Sequence, residues 1–157
     1  LDGRRAVERV IARPTRGFRA PYHFINRDTV EILNEEGFVF DVSRLYFRYL
    51  SFGKVHEIVP TWFREWMPTY GRLGISPHAA FGVFRSLVRL RRLSVLPAHP
   101  QYSGMNRSMA RAFEDFLRWG IDQGVLFWPI DKWLHVTRGV PLPEWVSPLG
   151  PEIFTHD

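Results

Sequence analysis

Short β-rich runs alternate with amphipathic helical stretches along most of this chain, and that alternation limits the fold more than any other feature. The order reads strand 16–20, helix 27–36, strand 38–42, strand 55–59, helix 77–91, strand 93–97, helix 107–123 and strand 125–128. Strands separated by helices pair in parallel, because the chain must cross back over the sheet before laying down the next strand. The pattern predicts an α/β fold, either a doubly wound sheet or part of a barrel, with about five mostly parallel strands. Five strands fall short of the eight that close a barrel. A helix over 4–12, broken by Arg13-Pro14-Thr15, precedes the first strand, and Pro129-Ile130-Asp131-Lys132-Trp133-Leu134 predicts a terminal helical turn.

Punctuation residues agree with these boundaries. Asn26 is an N-cap for the helix that Gly37 ends as a C′ residue, and Ser76-Pro77 is an N-cap and N1 pair. Met109, Ala112, Phe113, Phe116, Leu117 and Ile121 recur at i, i+3, i+4, i+7, i+8 and i+12, which marks one buried helical stripe closed by Gly124. The segment 61–74 is a loop carrying Trp62, Phe63, Trp66, Met67 and Tyr70, and such apolar loops serve as lids or pocket walls. From Gly139 onward the sequence holds four prolines in thirteen residues, which predicts a strap or linker. The chain therefore divides into a body, 1–138, and a Pro-rich tail, 139–157.

With 157 residues, 45% of them hydrophobic, the chain fits one folded domain with a sizeable core. Its apolar runs are too short to cross a bilayer, and the first residues carry no stretch of signal-peptide type. It has no cysteine, so disulfides and thiol chemistry are excluded and the compartment stays open. The net charge of +5 suits anionic partners. Its densest cluster, Arg85, Arg89, Arg91 and Arg92, reads as a solvated helix face and C-terminal turn, where cations complement the helix dipole. No nucleic-acid motif accompanies it, so no nucleic-acid partner is expected.

The richest local signal is Arg16-Gly17-Phe18-Arg19-Ala20-Pro21-Tyr22-His23-Phe24-Ile25-Asn26, a strand that turns a rigid corner into a helix. Ligands in α/β folds sit at strand ends, and Arg19 there is placed to orient an anion or carboxylate. A guanidinium fork matches carboxylate geometry as lysine does not. His99, at the end of the 93–97 strand, is a candidate general acid, since imidazole titrates near neutrality. Trp62 and Trp66 offer aromatic faces for an acyl or sugar group, or for packing. His23 and His56 read as structural or exposed. Ser103 and Ser108 read as a turn residue and part of a helix start, with no arrangement that would make either a nucleophile.

Gly17-Phe18-Arg19-Ala20-Pro21-Tyr22, a helix, and then Gly37-Phe38-Val39-Phe40-Asp41-Val42-Ser43 resemble the polysaccharide deacetylases of carbohydrate esterase family 4, the NodB-homology superfamily. His56-Glu57-Ile58-Val59-Pro60-Thr61-Trp62 is similar to that family's "Glu-Ile-Pro-x-x-Trp" stretch. Leu96-Pro97-Ala98-His99-Pro100, running to Gly104, is similar to its "Leu-x-x-His-Pro…Gly" motif, and Val125-Leu126-Phe127-Trp128 to its closing strand. The four landmarks cover about 120 residues in the family's order.

The resemblance implies the latter part of a distorted (β/α) barrel and metal-dependent hydrolysis of N-acetyl groups on an amino sugar or polysaccharide. In that scheme Arg19 braces the catalytic carboxylate and His99 protonates the departing amine. Pro21 and Tyr22 shape the corner, with the Tyr22 N–H at the oxyanion, and Trp62 contacts substrate. The family also implies a divalent metal, zinc by expectation, held by "Thr-Phe-Asp-Asp" and "His-x-x-x-His" motifs upstream of the arginine. Neither motif occurs here, so no metal ligand is assigned and the chain reads as the C-terminal half of such a domain. The "Asp-Trp" that would make Asp41 a relay is absent as well. Expected partners are a glycan or amino-sugar substrate, and the missing half or a second copy to cover exposed sheet. A cyclic-amide or formamide hydrolase on this scaffold, or a non-catalytic glycan-binding module, are the alternatives.

Overall fold

A parallel three-stranded sheet organises the computed structural model, which describes residues 2–43, 52–61, 71–96, 98 and 106–146. The described elements run α1 (Asp2–Ile11), β1 (Gly17–Phe18), a 3₁₀ turn (Pro21–His23), α2 (Arg27–Glu35), β2 (Phe40–Asp41), β3 (His56–Glu57), α3 (Pro77–Leu90), α4 (Arg107–Asp122) and α5 (Ile130–Arg138). Strand order follows chain order, β1-β2-β3, with Gly17 opposite Phe40 and Phe40 opposite His56. The ladder reaches one residue past each short strand: Val39 N–H donates to Arg16 O at 2.7 Å and Ile58 N–H to Asp41 O at 2.8 Å.

Helices cover both faces of the sheet. On one, α2 packs Val30 and Leu33 against Phe52, Val55 and Phe18. On the other, Leu134 of α5 is buried with Val42 and Ile58, joined by Phe40, Val95 and Ile130. The terminal turn expected at 129–134 is corrected to a full helix, α5, which covers part of this sheet face. Its Ile130, Trp133 and Leu134 supply the inward stripe, and Gly139 ends it at φ 68° with its N–H on His135 O. Arg16 locks first strand to last helix: its Nε donates to Asp131 Oδ1 at 2.7 Å and its Nη2 to Pro141 O at 3.0 Å. Residues 139–146 thus form a strap across the sheet; the remainder of the Pro-rich tail lies outside the described residues.

Among the described residues two further expected strands are not seen as strands. The N–H of Val125 donates to Gly120 O while that of Gly124, at φ +71°, donates to Ile121 O. That paired closure is a helix C-cap, and it takes the donor that a strand over 125–128 would have put into a ladder. At 93–96 the described residues show a single rung. Thr61 N–H donates to Val95 O at 2.8 Å, but the return bond from Val95 N–H goes to Thr61 Oγ1 instead of backbone. The described sheet accordingly has three strands, where about five were expected.

The helix signals hold. Asn26 caps α2 through a reciprocal bond pair with Thr29, and Ser76 caps α3 by accepting from Ala79 N–H. Asn106 caps α4 by accepting from Ser108 and Met109 N–H. The α3–α4 pair carries its own core of Ala80, Phe81, Phe84, Met109, Ala112 and Phe116. Arg85 and Arg89 are less free than a solvated face implies, since both guanidinium groups lie over the Trp119 ring, at 5.4 and 5.3 Å.

Helix α1 buries no residue and is tied down by polar contacts. Arg4 donates to Glu36 O and sits over the Phe38 ring, and Glu8 Oε1 accepts from Arg4 Nε, Thr15 N–H and Thr15 Oγ1. The Arg4 bond, followed by those from Thr15, lowers the Glu8 carboxyl to about 2 from its usual 4.5. A lowered carboxylate contributes stability above its unfolded-state value that is lost as pH falls through the folded one. The α1 amides are therefore expected to lose hydrogen-exchange protection between pH 4.5 and 2, and Glu8→Gln to remove that step. A pH step of the same size in the variant would assign it to other groups.

Candidate active site

The corner after β1 is held from beneath by a buried chain of hydrogen bonds. The Ala20 N–H donates to Ser43 Oγ at 2.7 Å, and the Ser43 hydroxyl donates onward to Asp41 Oδ1 at 2.5 Å. Asp41 Oδ2 accepts from Ser43 N–H at 3.0 Å. Both Asp41 and Ser43 are 0% exposed. Burial pushes the Asp41 carboxyl above its usual value, opposed chiefly by the bonds from the Ser43 side chain and backbone. Asp41 thus acts as an anchor under the corner, a use its sequence position did not reveal.

Above this anchor the backbone makes a tight 3₁₀ turn at Pro21, with His23 N–H on Ala20 O at 3.1 Å. Tyr22 and His23 both take left-handed conformations, at φ 55° and 61°. Non-glycine residues there are strained by roughly 1–3 kcal/mol each, and such strain concentrates at functional sites. The turn throws Tyr22 and Phe24 outward, at 88% and 83% exposure.

Arg19, at the end of β1, is exposed, its Nη2 3.0 Å from His23 Nε2. His23 Nδ1 lies 2.8 Å from Ser43 O. A carbonyl only accepts, so His23 Nδ1 donates to Ser43 O and the ring links Arg19 to the strand beneath. His23, read from sequence as structural or exposed, therefore positions Arg19; the i, i+4 spacing across the corner was its only sequence signal. Among the described residues Arg19 has no carboxylate partner, and its remaining N–H groups are free to meet an anion.

Of the other expected site residues, Pro21 opens the turn and His56 lies in β3. Ser108 is a first-turn residue of α4 whose N–H serves the cap. His99, Trp62, Trp66 and Ser103 lie outside the described residues. No family model, curated protein or solved structure matches this chain.

A cavity of about 500 Å³ adjoins the corner. Phe18, Phe40, Val42, Val95, Ile130 and Trp145 give it an apolar wall, and Arg19 stands on its lining together with the Arg16–Asp131 pair. Gly17 fits here because a Cβ at that position would meet the Phe40 ring at 2.2 Å. Arg19 and an apolar cavity thereby meet at the end of β1, and the turn that follows Arg19 exposes Tyr22 and Phe24.

Proposed function

We propose that this chain serves the hydrolysis of an amide on an amino sugar, with Arg19 as the group that orients a carboxylate at the reacting centre. The carrying observation is that Arg19 is held by His23 on a strained corner locked by Ser43 and Asp41, and that the same corner exposes Tyr22 and Phe24. Exposed rings beside a cation suit a sugar, whose C–H faces stack on aromatics while its polar rim meets charge. The consecutive parallel strand order agrees with the latter part of a (β/α) barrel of the NodB type, where such a corner belongs at the strand ends.

In this reading Arg19 holds the catalytic carboxylate in a bidentate grip, and the Tyr22 N–H donates to the oxygen on which negative charge develops. Pro21 fixes the approach of the corner, Trp62 contacts the sugar, and His99 returns a proton to the departing amine. The family resembled would add a divalent metal, with zinc the expected ion. Among the described residues no group of three His, Cys, Asp or Glu side chains fits one, so no step is derived through it. The described residues include no helix long and apolar enough to cross a membrane.

Titration with chitotetraose, followed by backbone amide NMR, tests the reading. Shifts are expected at Arg19, Tyr22 and Phe24, with Tyr22→Ala weakening binding about tenfold, the scale of one lost aromatic contact. Unmoved corner signals would overturn the glycan reading. If a cyclic amide moved them instead, the cyclic-amide hydrolase would replace it.

A further inference from the structure

The cavity beside Arg19 is larger than an acetyl group requires. An apolar cavity of about 150 Å³ holds one benzene ring. The cavity here, at about 500 Å³, has roughly three times that space and falls within the usual range for small-molecule sites. Its wall is hydrocarbon along the sheet face, from Phe40 and Val42 to Val95 and Ile130, with Trp145 of the strap among its lining residues. The polar groups on the inner lining are already satisfied: Arg16 is bound to Asp131 and Pro141 O, and Thr15 to Glu8. Among the described residues such a wall favours an apolar occupant and offers no unpaired charge to a second polar one. The exposed cation on the lining is Arg19, which has no carboxylate partner among the described residues. The complementary ligand has an apolar tail and one anionic or strongly polar head.

We infer that this cavity takes a medium-chain acyl group with its carbonyl beside Arg19; because the described residues offer Arg19 no carboxylate, a free carboxylate head meets the guanidinium directly, in the place the catalytic carboxylate would hold. The inference rests on the amide-hydrolysis reading for its chemistry and narrows the substrate class to amino sugars carrying a longer N-acyl chain than acetyl. Hydrolysis forms a bond from a water oxygen to the acyl carbonyl carbon and breaks the C–N bond. Both water protons end on the nitrogen, leaving an ammonium and a medium-chain carboxylate. That carboxylate is both the product and the simplest probe of the cavity.

The experiment titrates the 157-residue chain with acetate, octanoate and octanamide, using amide NMR for site and calorimetry for affinity. Octanoate is expected to bind at least tenfold more tightly than acetate, moving signals at 16–19, 40–42, 95–96 and 130–131. Arg19→Ala should weaken octanoate about tenfold and leave octanamide within about threefold. Trp145→Ala, at a partly exposed strap position, should weaken both. Octanoate no tighter than acetate, or shifts confined to other surfaces, overturns the inference; equal losses for both ligands in Arg19→Ala overturn the head-at-Arg19 orientation. The two readings fail separately. Octanoate binding with no chitotetraose response at Tyr22 removes the sugar reading alone, whereas the converse removes the long-chain cavity alone.

Discussion

Ser43→Ala is expected to lower stability by about 2–4 kcal/mol at neutral pH, although it deletes one oxygen atom. The hydroxyl is both acceptor and donor in a fully buried place, taking the Ala20 N–H at 2.7 Å and giving its own proton to Asp41 at 2.5 Å. Removing it strands a buried N–H, which costs about 1–3 kcal/mol, and takes a charge-assisted bond from Asp41. The pH dependence follows from Asp41, whose carboxyl burial raises above its usual 3.8 against the pull of the Ser43 bonds. A group with a raised folded-state value contributes stability that is complete below its unfolded value and is lost as pH rises through the folded one. Deleting the largest lowering contact raises that value further, so the variant loses more stability than the parent on going from pH 3 to pH 7. Urea denaturation at both pH values measures the difference. A cost equal at the two would detach Asp41 from the network, and a negligible cost would remove the network as the brace of the corner.

How much of this architecture could be read beforehand depended on whether the signal was local. Helix limits came through nearly unshifted, because Asn26, Gly37, Ser76 and Pro77 act within one turn of themselves. Strand character was also legible at 16–20, 38–42 and 55–59. Sheet membership was not, since it depends on what lies alongside. The run 125–128 has good β-formers, yet the Val125 N–H caps α4; the run 93–96 meets a threonine side chain where a backbone partner would extend the ladder. The stripe of α5 was visible in Ile130, Trp133 and Leu134, but its length was hidden by the prolines that follow and by an end set at Gly139.

The candidate site divides in the same way. Arg19, Pro21 and Tyr22 were legible because a proline corner after a strand is a local event, and the structure places them together at the strand ends. The roles of Ser43 and His23 were not legible because their partners are distant in sequence or set by left-handed backbone. Ser43 reaches back 23 residues to Ala20, and His23 meets Arg19 only because Tyr22 and His23 turn at positive φ. The cavity was invisible for a stronger reason. Its wall is assembled from β1, β2, the 95–96 edge, α5 and the strap at Trp145, which no window of sequence contains.

Phe116→Ala should produce the largest loss of all, about 3–5 kcal/mol for a buried aromatic truncated to a methyl group. Phe116 is 4% exposed, and its ring centroid lies 5.3 Å from Phe81, 5.2 Å from Phe84 and 5.8 Å from Trp119. Neighbours in a close-packed cluster relax only partly into such a space, so most of the cavity would persist. The cluster belongs to α3 and α4, while α2 and α5 hold the sheet through clusters of their own. Hydrogen exchange should therefore quicken first along α3 and α4, with the β2 and β3 amides still protected, as for a separately opening unit. Equal acceleration in both places would show a single cooperative core. The site should nevertheless register the change, because Leu96 packs against the helix cluster and also lines the cavity beside Arg19. Octanoate affinity is expected to fall in Phe116→Ala although Phe116 is not a lining residue, while chitotetraose shifts at Tyr22 and Phe24 persist, since the Ser43–Asp41 anchor beneath them shares no residue with the helix cluster.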